Sequence, residues 1–145
     1  MSQDRFSNWL GIDILSIRKG SCQLRAKVQQ DMVNGFSIAH GGITYSLSDS
    51  ALAFASNAYG FHCVSIETSI AHLHPVQLND ILTVSCEEIS RSRSIGHYQV
   101  QIHNQNDDLV SHFKGLVKIM REEWSWSSFF FLYSLYGYEF SLGEH

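Results

Sequence analysis

The stretch from Ile43 to Asn57 constrains the fold more than any other. It is rich in Ala, Ser and Leu, contains no Lys, Arg or Pro, and carries a single acid, Asp49. That composition over this length predicts a helix buried on most sides, around which the rest of the chain must be arranged. Gly41 and Gly42 stand immediately before it. Paired glycines let the backbone turn tightly and leave amide N–H groups unshielded where the helix begins. Free N–H groups and the positive end of the helix dipole together favour negative charge, so a carbonyl placed there is polarised and a developing oxyanion is held.

Burying a lone carboxylate costs free energy unless the group is paired, hydrated or used, so Asp49 calls for a role. Eight residues separate Gly41 from Asp49, and at the helical rise they lie roughly 12 Å apart along the axis. One chain therefore cannot bring both groups to one carbonyl. Either they serve different sites, or Gly41 of one subunit works with Asp49 of another across a symmetric interface, and the second case predicts a dimer.

Around this helix the chain alternates as strands do. Residues 4 to 10 predict a short helix with Phe6, Trp9 and Leu10 on one side, ended by Gly11. Two strands follow between Ile12 and Val28, broken at Lys19-Gly20, the second with Cys22, Leu24, Ala26 and Val28 on one face. Strands are expected near 62 to 76, 80 to 89, 95 to 104 and 108 to 119. Tyr98, Val100 and Ile102 share a face, as do Leu109, Phe113, Val117 and Ile119, while His112, Lys114 and Lys118 point away. Asn104 to Asp108 forms a polar hairpin turn. Strands, one long helix and four strands on short connections predict an α+β fold with an antiparallel sheet.

The run Asn34-Gly35-Phe36-Ser37-Ile38-Ala39-His40-Gly41-Gly42, with Asp49 nine residues after the His, resembles the PaaI-type branch of the hotdog-fold acyl-CoA thioesterases. The similarity extends from about Phe6 to Met120. It implies a sheet wrapped around one central helix and hydrolysis of acyl-CoA thioesters without a cofactor. By position, it implies that the Gly41 N–H polarises the thioester carbonyl. Asp49 of the partner subunit is then general base or nucleophile. Asn34 and His40 belong to the same site, and Ser65, ten residues before Pro75, helps place the attacking water. Aryl substrates such as phenylacetyl-CoA and hydroxyphenylacetyl-CoA are implied too, and no residue distinguishes them from medium-chain acyl-CoA. The expected assembly is a homo-oligomer, a dimer or a dimer of dimers. A hydroxyacyl-thioester dehydratase on the same fold would need an Asp and a His close together in the loop, and Asp31 is too far from His40. A non-catalytic acyl-CoA-binding module of the same fold is the other alternative.

The remaining features narrow the field. At 145 residues one domain suffices, read as 1–120. A net charge of −4 with scattered basic residues lacks the footprint of a nucleic-acid binder. Cys22, Cys63 and Cys86 show neither CxxC spacing nor an even count, which fits reduced thiols and a cytoplasmic location. No basic start followed by an apolar stretch suggests a secretory signal, and no run suggests a membrane span. His72 and His74 share a strand face but lack a third ligand at a telling position, so no metal is expected. Arg91 and Arg93, at a predicted hairpin turn, and Gly42 are candidates for binding the substrate, the arginines through the phosphates of coenzyme A. Residues 121–145 hold nine of the eighteen aromatics and form an extension to which no function can be assigned.

Overall fold

The computed structural model describes residues 5–123. The chain runs α1 (Arg5–Leu10), β1 (Asp13–Arg18), β2 (Ser21–Lys27), a 3-10 turn (Gln30–Met32), α2 (Gly41–Asn57), β3 (Phe61–His72), β4 (Ile81–Arg91), β5 (Ile95–His103) and β6 (Leu109–Glu123). The six strands form one sheet in the order β1-β2-β4-β5-β6-β3. Every neighbouring pair is antiparallel. This is the α+β arrangement expected from the pattern.

Alternation places the core. Cys22, Leu24 and Ala26 of β2, Leu82, Val84 and Cys86 of β4, and Tyr98, Val100 and Ile102 of β5 are all buried. Phe113, Val117 and Ile119 of β6 join them, and Lys114 and Lys118 point outward as expected. Leu109 is only half-buried and Val110 takes the inward place, because the β5–β6 register shifts between Ile102 and His103. The polar hairpin forms: the Asn104 side-chain oxygen accepts the N–H groups of Asn106 and Asp108, each at 3.0 Å.

α2 lies on the concave face of the sheet, with Ile43, Leu47, Ala51, Leu52 and Ala55 in the core. Gly115 of β6 allows the close approach: a Cβ there would stand 2.7 Å from Leu52 Cδ2 and 3.1 Å from Phe113 Cε1. The helix is buried on most sides, as expected, but not on all. Tyr45, Asp49 and Ala53 lie along an exposed stripe, because one sheet covers only one side of a helix. β3 is also open. It is an edge strand twelve residues long, with Val64 51% and Ile66 54% exposed.

Three other expectations shift. In α1 it is Ser7 and Leu10 that pack inward, while Phe6 and Trp9 stack on each other at 6.0 Å outside the core. The third strand stops at His72, short of residue 76, and the segment to Pro75 leaves the sheet. The last strand runs past Met120 to Glu123, and the rest of the aromatic extension falls outside the described residues. No helix among the described residues is long and apolar enough to cross a membrane.

Replacing Gly115 by Val should crowd Leu52 and Phe113 and lower stability by about 1–3 kcal/mol, the usual penalty of overpacking. Urea denaturation measures it, and an unchanged midpoint would mean that the helix is free to lift off the sheet at that point.

Candidate active site

The motif loop is tied down before it reaches the helix. The Asn34 side-chain oxygen accepts the N–H groups of Phe36 at 2.9 Å and Ile38 at 3.2 Å, and the Asn34 N–H donates to the Ile38 carbonyl at 2.9 Å. Ser37 at the tip takes φ +62°, in the left-handed region that an L-residue adopts at a cost. The Ala39 N–H donates to the Val76 carbonyl and the His40 N–H to that of Met32. His40 is thereby fixed as the N-cap residue of α2, but its side chain makes no capping bond and is exposed. The N–H groups of Gly41 and Gly42 follow in the first turn, where no earlier helical carbonyl is available to them.

Gly41 opens onto a cleft of 390 Å³ shared with Ile38, Thr44, Leu73, His74 and Pro75. Its other wall is His72, which the sequence assigned no role beside a thioester. A Cβ on Gly41 would meet His72 Nε2 at 3.0 Å, so the imidazole lies directly against the glycine. The buried Thr44 hydroxyl donates to the Gly41 carbonyl at 3.1 Å and stands 3.4 Å from His72 Nδ1. His72 and His74 both line this cleft. His74 lies beyond the strand end, with Nδ1 2.9 Å from the Pro75 carbonyl and Nε2 3.9 Å from Asp108. The contact of His72 with Gly41 is tertiary, and no sequence spacing announced it.

Asp49 stands on the open stripe of α2 beside a second cleft of 300 Å³, together with Leu52, Ala53 and Ser56 of α2, Cys63, Val64 and Ser65 of β3, and Val117 of β6. Burial against this wall pushes its carboxyl above the ordinary carboxylate pKa. The structure thus brings Ser65 to Asp49 and His40 and Gly42 to Gly41, but keeps the two groups apart. The clefts share no lining residue. Between them the Tyr45 hydroxyl is hydrogen-bonded to Thr68, and the Tyr45 ring meets Phe113 edge-on at 5.5 Å, which joins helix to strand as a partition.

Neither candidate arginine lines either cleft. The Arg91 guanidinium lies 3.9 Å over the Tyr59 ring. The Tyr59 and Tyr98 hydroxyls both donate to Glu88 Oε2, at 2.8 and 3.0 Å. Arg93 is exposed in the β4–β5 turn. Burial raises the Cys63 thiol pKa, and the nearby Arg91 charge offsets this in part.

The thioesterase superfamily model matches residues 36–111. The chain is 34% identical to the acyl-coenzyme A thioesterase PaaI of Escherichia coli (strain K12) over 112 residues, which span 77% of this chain and 80% of that protein. Its fold matches the structure of the E. coli PaaI protein from the phenylacetic acid degradation operon with a TM-score of 0.81 and 31% identity, covering 83% of this chain and 88% of the other. A hypothetical thioesterase protein of Streptococcus pneumoniae TIGR4, crystallised with coenzyme A, matches with a TM-score of 0.75 and 25% identity, over 78% and 88%. At this identity and coverage the chain belongs to the thioesterase superfamily, as a hotdog-fold thioester hydrolase of the PaaI type.

Proposed function

We propose that the protein hydrolyses acyl-CoA thioesters at a site shared between two subunits, with Gly41 supplied by one and Asp49 by the other. The observation that carries this reading is the division of one helix into two half-sites, a donor end at Gly41 and an acid at Asp49, beside an open sheet edge. A long edge strand with exposed Val64 and Ile66 is a surface for pairing with another strand. Two copies of β3 paired antiparallel about a two-fold axis would run the Ser65 end of one toward the His72 end of the other. Asp49 would then face the partner's Gly41.

In this arrangement the thioester oxygen accepts the Gly41 N–H, with Gly42 and the helix dipole adding to the positive potential. Asp49 of the facing subunit takes a proton from a water held by Ser65, and the hydroxide oxygen bonds to the acyl carbon. The oxyanion collapses, the carbon–sulfur bond breaks, and coenzyme A leaves as the thiolate. Direct attack by the Asp49 carboxylate, giving an anhydride that water then opens, uses the same geometry. The Asn34 oxygen is committed to the loop, so its amide N–H groups are what it offers to the substrate. His40 contributes its backbone at the cap and its exposed imidazole at the mouth. Arg91, stacked on Tyr59, and Arg93, exposed in the β4–β5 turn, are the candidates for the coenzyme A phosphates. The acyl group is an aryl group such as phenylacetyl or hydroxyphenylacetyl, or a medium chain. The subunits form dimers, paired into tetramers.

Chromatographic measurement of coenzyme A release from aryl and straight-chain CoA esters tests the reading. Asp49→Asn should lower turnover about 100-fold or more while ester binding survives, the scale expected for loss of a general base. Wild-type turnover in that variant would overturn the assignment. The acid limb of the wild-type pH profile should have its midpoint above 3.8, in the direction burial shifts Asp49, and should vanish in Asp49→Asn.

Sharing between chains has its own test. Mixing Asp49→Asn with Gly41→Val subunits under proven exchange should restore about one quarter of wild-type activity, since half the dimers are mixed and each holds one intact site. No recovery would mean that the two groups serve different sites.

Stability should move the opposite way to activity. A carboxyl whose pKa is raised by folding contributes stability below pH 3.8 and loses it as pH rises through the folded-state value. Asp49→Asn should therefore melt higher than wild type at pH 7, and the gap should close as pH falls toward 4. A lower melting temperature at neutral pH would show that the ionised carboxylate is held by a favourable partner.

A further inference from the structure

We infer that Cys63 sets the length of acyl group the enzyme accepts, by closing the far end of the cleft that begins at Asp49. This rests on the reading that the thioester carbonyl meets Asp49.

α2 and β3 run in opposite directions, joined by the turn at residues 58–60, and they touch in step. Thr44 meets His72, Tyr45 meets Thr68, and the Cys63 thiol donates to the Ser56 carbonyl at 3.4 Å. The cleft therefore follows the helix axis. The Tyr45–Thr68 contact joins helix to strand on the Gly41 side, so in this reading an acyl chain leaving a carbonyl at Asp49 runs the other way, toward the end of the helix. From Asp49 to Ser56 it travels seven helical residues, roughly 10 Å. Leu52, Val64 and Val117 give it apolar walls.

At the far end the walls of the cleft meet where Cys63 touches Ser56. The Cys63 N–H donates to the Asn57 side-chain oxygen at 3.0 Å, which draws the start of β3 against the last turn of α2. Near Cys63 lies the fixed polar cluster of Tyr59, Glu88, Tyr98 and Arg91. A hydrocarbon pushed past Cys63 would have to displace these bonded groups, and an apolar chain offers them no hydrogen bond in exchange. The side chain at position 63 is thus the stop. An extended carbon chain advances roughly 1.2 Å per bond, as the extended backbone does, so the cleft holds about eight carbons.

The experiment compares kcat/KM for wild type, Cys63→Ala and Cys63→Met on even-numbered straight-chain CoA esters from butanoyl to dodecanoyl, with coenzyme A release read by chromatography. Wild type should fall sharply beyond octanoyl. In Cys63→Met the ratio of octanoyl to butanoyl rates should drop about tenfold or more, the size expected for a misfitting methylene in a closed apolar pocket. In Cys63→Ala the break should move toward decanoyl. If the Met variant does not fold, the Ala profile alone decides the matter. Parallel profiles for the folded proteins, or undiminished wild-type turnover of dodecanoyl-CoA, would overturn the role of Cys63. No release from any ester by wild type would instead remove the thioesterase reading beneath it.

Discussion

The packing of α2 against the sheet on one face only is the constraint on which the rest depends. Leu47, Ala51 and Ala55 disappear into the core, and Gly115 lets the helix come close enough to be held there. A sheet that curls around a single helix cannot cover its opposite side, so Tyr45, Asp49 and Ala53 stay open along one stripe. The same geometry leaves β3 at the edge, since β4 is already paired with β2 and β5. Helix stripe and open edge adjoin one another. Any partner that pairs with the edge comes to face the stripe, and this links the burial of apolar surface to the completion of a site.

Several features of the site oppose stability. Asp49 has desolvation without a cation to offset it, Ser37 holds a left-handed backbone, and the exposed edge of β3 invites association. Such features persist when the surrounding structure over-determines them. The Asn34 side chain and the bridges Val33–Ala39 and Ile38–Gln77 do so for the loop, and the large core beneath α2 does so for the helix. The desolvation that raises the Asp49 pKa also makes its carboxylate a better proton acceptor, so in the proposed reading the cost in stability and the reactivity have one origin.

How much of this was legible in the sequence depended on whether the signal was local. The alternation in β2, β5 and β6 and the small-residue composition of α2 are local, and each element appeared close to its expected place. So was the distance between Gly41 and Asp49, because helical rise converts spacing directly into length. What failed was information held in pairing. The small-residue composition of the helix announced its burial but not the one stripe, Tyr45, Asp49 and Ala53, that the sheet leaves open. Phe6 and Trp9 looked like core residues because they are aromatic, yet the inward face of α1 belongs to Ser7 and Leu10. His72 was paired with His74 by strand alternation. Both do line one cleft, but the His72 ring lies against Gly41, a tertiary contact that no spacing rule announces.

The Tyr45–Thr68 partition has a consequence for how such an enzyme can change its substrate. It lies between the cleft at Gly41 and the cleft at Asp49, whose far end is lined by Ser56 and Cys63. In the proposed reading, the groups that recognise the constant coenzyme A portion and those that measure the variable acyl portion therefore share no side chain. Substitutions more than about 7–10 Å apart without common partners act nearly independently. Changes along Leu52, Cys63, Val64 and Val117 can alter the accepted acyl group without disturbing the polarising N–H groups, because the rigid helix between them transmits position and not shape. A thioesterase built this way keeps its chemistry at the two ends of one helix segment and varies its specificity along the cleft beyond.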